Sequence, residues 1–330
     1  MFILKKILLG FFALCLAVPG AFSSPKDSYS AYKKAVKSVD IYENTLDTAV
    51  PMTEVYRIVN EFMAEELPAG KTEKKVAVLG YDGCRADALS LIGDAENSGI
   101  QTLVNDGGKA VIAYCGGVPY PNINTQATST APGWCTMLTG QWADAHGVTD
   151  NDIEKPNEYL TMLTTLVEDG TIDSSAFYVS WGGHFNGDGT TYIREKRYVE
   201  EKGLNVNFKW NPDDNATFAS TMADITSADC SDFIFSIFEY CDHYGHGDNF
   251  YIGNADYQLG FADSEKISKA CIDAIKARPT YDTEDWLIII TSDHGGIRSG
   301  HGSFSIQERM TFIVTNKDVD YVYPTAGIVC

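Results

Sequence analysis

Residues 286–301 read Trp-Leu-Ile-Ile-Ile-Thr-Ser-Asp-His-Gly-Gly-Ile-Arg-Ser-Gly-His, and this stretch limits the fold more than any other. Leu287 to Thr291 is a short, β-branched apolar run, which reads as a strand buried on both faces in a parallel sheet. Asp293 and His294 follow where that strand should end, and His301 comes soon after. In open α/β sheets ligands bind beyond the carboxyl ends of the strands. One carboxylate and two imidazoles there are a partial ligand set for a divalent metal such as zinc. Taken alone, a solvated Asp-His-Gly-Gly turn explains the stretch equally well, so the other strand ends must decide.

Several of them carry matching groups. Lys75 to Tyr81 reads as a buried strand with Asp82 at its end, and Phe233 to Phe238 as another, followed by Glu239 and then Asp242-His-Tyr-Gly-His246. Lys109–Tyr114, Ser175–Trp181 and Met310–Val314 are further strand candidates, and Ala262–Ala277 has helical spacing. Strands alternating with helices indicate an α/β fold with a mostly parallel sheet covered on both faces. Thr130 reads as the N-cap of a helix that has Pro132 in its first turn and Gly140 as its stop. A hydroxyl there lies where backbone N–H groups and the helix dipole favour an anion. His146 to Asn151 reads as a loop, and residues 186–218 as a polar, irregular excursion over the site.

The chain divides into a leader over 1–23, a helical segment over 24–70 and one large unit over 71–330. Lys5 and Lys6 precede the apolar run Ile7–Val18, and Ala21-Phe22-Ser23 offers a small-x-small cleavage site. This pattern predicts a signal peptide and a secreted or periplasmic protein. No later apolar stretch is long enough to span a bilayer, so no stable membrane partner is expected. In 24–70 the spacing of Val55, Ile58, Val59 and Phe62 predicts helices packed on a larger body as an appendage. The formal charge of −20 argues against binding a nucleic-acid polymer. Bound cations still leave small anionic substrates open. Seven cysteines lie beyond the leader (Cys84, Cys115, Cys135, Cys230, Cys241, Cys271 and Cys330), an odd number whose pairing the sequence does not determine.

Asp and His are the ligand types of hydrolytic metal centres that hold paired ions, and each candidate sits after an apolar strand or at a helix start. In this order, VLGYDGCRAD, T-x-P-x-x-x-T-x-L-T-G, HGVTDN, D-x-x-G-H and TSDHGG…HG resemble the successive motifs of the alkaline phosphatase superfamily. They are most similar to its type I phosphodiesterase/nucleotide pyrophosphatase branch, over about residues 75 to 305. The resemblance implies an α/β/α sandwich and two divalent ions, usually zinc. It implies that Asp82, Asp293 and His294 hold one metal with the Thr130 oxygen, and that Asp242, His246 and His301 hold the second. It implies that Asn151 hydrogen-bonds a phosphoryl oxygen, and that Thr130 attacks phosphorus to give a phosphothreonine that water hydrolyses. A free Thr hydroxyl is a poor nucleophile and needs such activation.

The expected activity is therefore hydrolysis of small phosphate esters, above all phosphodiesters or nucleotide pyrophosphates. A phosphomonoesterase on the same site is the nearest rival. A sulfatase-like hydrolase is disfavoured, because sulfatases carry Cys or Ser as nucleophile and adjacent aspartates in the first motif, whereas Asp82 stands alone. An inactive secreted binding protein would be free to lose a ligand, and none is missing. Ser129 is the competing hydroxyl. Trp134, Tyr244, Phe250, Tyr251, Cys135 and His146 read as packing or local structure, His184 as a loop residue and Arg85 as the partner of a nearby acid.

Overall fold

The computed structural model describes residues 49–93, 96–116, 126–153 and 155–323. The leader expected over 1–23, residues 24–48 and Cys330 lie outside the described residues. Among the described residues the chain forms eight strands, β1 (Val50–Pro51), β2 (Glu73–Tyr81), β3 (Ala110–Tyr114), β4 (Ser175–Val179), β5 (Val206–Trp210), β6 (Phe233–Phe238), β7 (Glu284–Thr291) and β8 (Met310–Thr315). They make one sheet in the order β1-β3-β8-β7-β2-β6-β4-β5. All pairings are parallel except those of β8, which runs against β3 and β7.

The central strands β7, β2 and β6 are buried along most of their length, so period-two alternation sends their side chains into two separate cores. Val76, Val78, Phe233, Phe235, Leu287 and Ile289 enter one core. Ala77, Leu79, Ile234, Phe238, Ile288 and Ile290 enter the other. The first is closed by α1 (Glu54–Ala64) and α3 (Thr130–Thr139). The second is closed by α2 (Gly99–Asn105), α7 (Asp214–Ile225) and α9 (Ala255–Lys276). The result is the three-layer α/β/α sandwich. Each fully buried Phe, Ile or Leu of these layers contributes about 1.5–3 kcal/mol.

Val55, Ile58, Val59 and Phe62 form the buried face of α1, a helix packed on the larger body. Ahead of it, β1 adds a short parallel edge to β3. Residues 186–218 depart from the irregular excursion read from the sequence. They contain α6 (Ile193–Lys202), the edge strand β5 and the start of α7. Helix α6 buries only Glu195 and Val199, and only Val206 of β5 is buried, so neither has enough apolar spacing to announce itself. On α6, Lys196 pairs with Glu200 and Arg197 with Asp188 at the surface.

Candidate metal centre

The three adjacent central strands each deliver acid beyond their carboxyl ends. Asp82 follows β2 and Asp293 with His294 follows β7. Glu239 follows β6 directly and opens into α8 (Tyr240–Gly247), which carries Asp242 and His246 four residues apart on one face. Helix α3 brings Thr130 from the neighbouring layer. The cap lies one residue earlier than expected: Ser129 is the extended flanking residue and Thr130 the first helical one. Gly140 ends it in the left-handed conformation at φ 68°, as expected.

These groups converge. One set comprises Asp82, Asp293 and His294, and a second comprises Asp242, His246 and His301, each with ligand atoms within 4.8 Å of one another. His294 Nε2 lies 3.4 Å from Asp82 Oδ1 and 3.4 Å from Asp293 Oδ2. Asp242 Oδ1 lies 3.5 Å from His301 Nε2, and Asp242 Oδ2 lies 3.5 Å from His246 Nε2. The His294 and His301 rings stack at 4.0 Å, so the two sets adjoin. Thr130 Oγ1 sits 3.4 Å from Asp82 Oδ1 and 3.3 Å from His294 Nε2. Ser129 Oγ instead lies 3.4 Å from His301 Nδ1, on the far side of that ring from the carboxylates. Asn151 Oδ1 accepts the Ala131 N–H at 2.8 Å, which leaves its Nδ2 as a donor beside the helix start.

The donor chemistry suits cations. The Nδ1 atoms of His294, His301 and His246 lie 2.7, 3.0 and 2.9 Å from the carbonyls of Gly295, Thr128 and Ser299. A carbonyl only accepts, so each Nδ1 carries the hydrogen and each Nε2 keeps a lone pair aimed inward. His246 Nε2 and His301 Nε2 are then two lone pairs 3.1 Å apart, a contact that repels unless a cation or proton lies between them. Asp242 Oδ1, Asp293 Oδ2 and Glu239 Oε1 are buried and accept no hydrogen bond from the protein. Unpaired buried carboxylate oxygens are costly, and a divalent ion satisfies them.

The electrostatics agree. Burial, and then the charge of Asp242, holds Asp82 well above the ordinary carboxylate range. Burial and then Asp82 do the same to Asp293. Burial lifts Asp242 to about 7. Burial holds His294 well below its ordinary value and takes His301 to about 4, so both are neutral ligands at physiological pH. Like-charged groups raised together at one sheet edge mark a functional site.

Two participants escape a reading of the sequence. Glu239 forms a third acidic group with Asp82 and Asp242. It is visible as an acid at a strand end, but no recurring spacing singles it out. Trp134 is fully buried, as packing requires, yet its Nε1 also donates to Asp82 Oδ2 at 2.7 Å. The ring reaches there because residue 80 is glycine: a Cβ on Gly80 would lie 2.4 Å from the tip of the indole. Trp134→Phe is expected to weaken binding of a divalent ion by roughly 10–100-fold, the usual cost of losing a group that orients a ligand. Competition against a chromophoric chelator measures this; unchanged affinity would show that the indole orients nothing.

The remaining candidates have settled places. Arg85 pairs with Asp87. His146 lies 3.0 Å from Thr136 Oγ1, and its Nδ1 accepts Val148 N–H. His184 sits in the turn after β4, a loop residue as read, with its ring fully buried among Phe177, Trp181 and Tyr192. Phe250 is buried against His246 and Tyr257. A polar cleft of about 690 Å³ beside the amino ends of β2, β4 and β6 contains none of the expected site residues.

A sequence profile of the family described as type I phosphodiesterase/nucleotide pyrophosphatase matches residues 76–308. No curated protein matches the chain. Among solved structures, murine ectonucleotide pyrophosphatase/phosphodiesterase 5, in an inactive form bound to AMP, is 18% identical with a TM-score of 0.43. That match covers 68% of this chain and 57% of the murine one. A Bacteroides thetaiotaomicron protein described as a candidate sulfatase is 13% identical with a TM-score of 0.51, over 75% of this chain and 65% of that one. The chain thus spans less than two thirds of either structure, and the second likeness is one of fold.

Proposed function

Because the chain belongs to the type I phosphodiesterase/nucleotide pyrophosphatase family, we propose that it is an exported hydrolase of phosphodiesters or nucleotide pyrophosphates, with Thr130 as nucleophile and two divalent ions, zinc by family habit, as cofactors. The observation that carries this reading is the Thr130 hydroxyl, 3.3 and 3.4 Å from His294 Nε2 and Asp82 Oδ1 at the start of α3. Asp82, Asp293 and His294 would hold one ion, and Asp242, His246 and His301 the other. When bound, the ions supply the positive charge that lowers the hydroxyl pKa and offsets charge on the leaving oxygen.

The chain's own groups do the rest. Thr130 Oγ1 forms a bond to phosphorus as the bond to the leaving alcohol or phosphate breaks, and its proton passes to solvent. Water then attacks the phosphothreonine and releases the hydroxyl. Asn151 is held by Ala131 N–H through Oδ1, so its Nδ2 can donate to a phosphoryl oxygen without reorganising. The amino end of α3 adds a favourable dipole for the anion. Export follows from the leader over 1–23. Among the described residues no helix is long and apolar enough to cross a membrane.

Purified protein should hydrolyse bis-p-nitrophenyl phosphate with a higher kcat/KM than p-nitrophenyl phosphate; a strong preference for the monoester would replace the diesterase with a phosphomonoesterase. Asn151→Ala should lower kcat by about 10²–10³-fold, the cost of one oxyanion donor. A change confined to KM would assign Asn151 to ground-state binding only.

A further inference from the structure

We propose that Cys84 and Cys241 are joined by a disulfide that ties the Asp82 turn to the Asp242 helix. Strands β2 and β6 are parallel neighbours with Tyr81 opposite Phe238, and each strand is followed by a cysteine three residues further on. Neighbouring strands lie about 4.8 Å apart, inside the roughly 4.4–6.8 Å over which a disulfide bridges two Cα atoms.

The two segments stay close after the strands end. A Cβ on Gly83 would lie 2.7 Å from Asp242 Cα, and Gly83 has φ +68°, so only glycine lets the turn pass the helix this closely. Both side chains are fully buried in the same apolar core, and after burial itself the nearby Cys241 thiol pushes the Cys84 thiol further up. All six described cysteines are thiols here, and Cys84 and Cys241 are the pair that the register of β2 and β6 brings together.

The step balances by exchange with a disulfide oxidant, either a small-molecule disulfide or the disulfide of an oxidising protein. One cysteine thiolate attacks the oxidant and releases its first thiol. The second cysteine then displaces the other, so the S–S bond of the oxidant breaks as that of the protein forms. Two hydrogens leave the cysteines and end on the oxidant's two thiols. Because both sulfurs are buried in the folded chain, exchange belongs to folding, before α9 closes over them. The proposal rests on the exported reading, since disulfides persist in oxidising compartments. The bridge would join a residue of each ligand set, Asp82 and Asp242, through the backbone.

The test is peptide mapping of the full chain, secreted with its leader and denatured in iodoacetamide without reductant. The expected species is one linked peptide pair containing Cys84 and Cys241, lighter by two hydrogens than the sum of its parts and separated by dithiothreitol. A second preparation, refolded with zinc in a mixture of glutathione and glutathione disulfide, removes any dependence on export. The linked pair in either preparation supports the bridge; Cys84 and Cys241 alkylated, or paired elsewhere, in both overturns it. A bridged protein without diesterase activity would sink the functional reading and leave the bridge standing.

Discussion

Thr130→Ala is expected to lower turnover of a phosphodiester by roughly 10⁴-fold or more, the scale seen when a covalent nucleophile is removed. Folding should survive. Thr130 is the first residue of α3, where Ala is an excellent helix former. Its two polar contacts, at 3.3 and 3.4 Å, are too long to be strong hydrogen bonds. Metal content and the thermal midpoint should therefore stay near wild type while kcat collapses. Thr130→Ser keeps an oxygen in place and should retain measurable turnover. Ser129→Ala should be far milder, because that hydroxyl points to the Nδ1 side of His301. Wild-type turnover in Thr130→Ala, or a collapse confined to Ser129→Ala, would move the nucleophile.

Chelation is expected to cost both activity and stability, and the stability loss should grow with pH. In metal-free protein the Asp242 carboxyl is lifted from 3.8 to about 7 by burial, and Asp82, Asp293 and Glu239 move in the same direction. A carboxyl whose pKa is higher in the folded state favours folding fully below its unfolded value. That contribution is lost as pH rises through the folded value. For Asp242 alone the swing between pH 4 and pH 7 is roughly 3 kcal/mol. A cation that replaces the protons reverses this, and one bound at a thousand times its dissociation constant adds about 4 kcal/mol. At pH 8 a chelator should lower the Tm by on the order of 10 °C, and at pH 5 by less. A chelation-induced drop in Tm that shrinks from pH 5 to pH 8 would contradict the buried-acid account.

Much of this site is legible in the sequence because β2, β6 and β7 are buried on both faces. Uninterrupted runs such as Phe233–Phe238 and Leu287–Thr291 announce themselves, and the polar residue that ends each run is thrown to the ligand-binding edge of the sheet. Asp82 and Asp293 are found that way, Asp242 by its spacing to His246 just beyond the β6 run, and the helix from Thr130 by its Pro132 and Gly140. What stays hidden depends on contacts between distant segments. Trp134 reads as core and is core; only the room left by Gly80 makes it a donor to Asp82. Strand β5 is hidden for a different reason, since an edge strand with only Val206 buried resembles a polar loop.

The two ligand sets differ in how far they lie from water. Asp82, Asp293 and His294 are wholly enclosed, whereas the His246 side chain is 46% exposed. On the two-ion reading, this difference in depth makes the pair kinetically unequal. The outer ion would trade with solvent directly, while the inner one would have to wait for its neighbour to leave or for the sheet edge to loosen. Isotopic zinc added to loaded enzyme should enter in two phases of equal amplitude, the first much faster than the second.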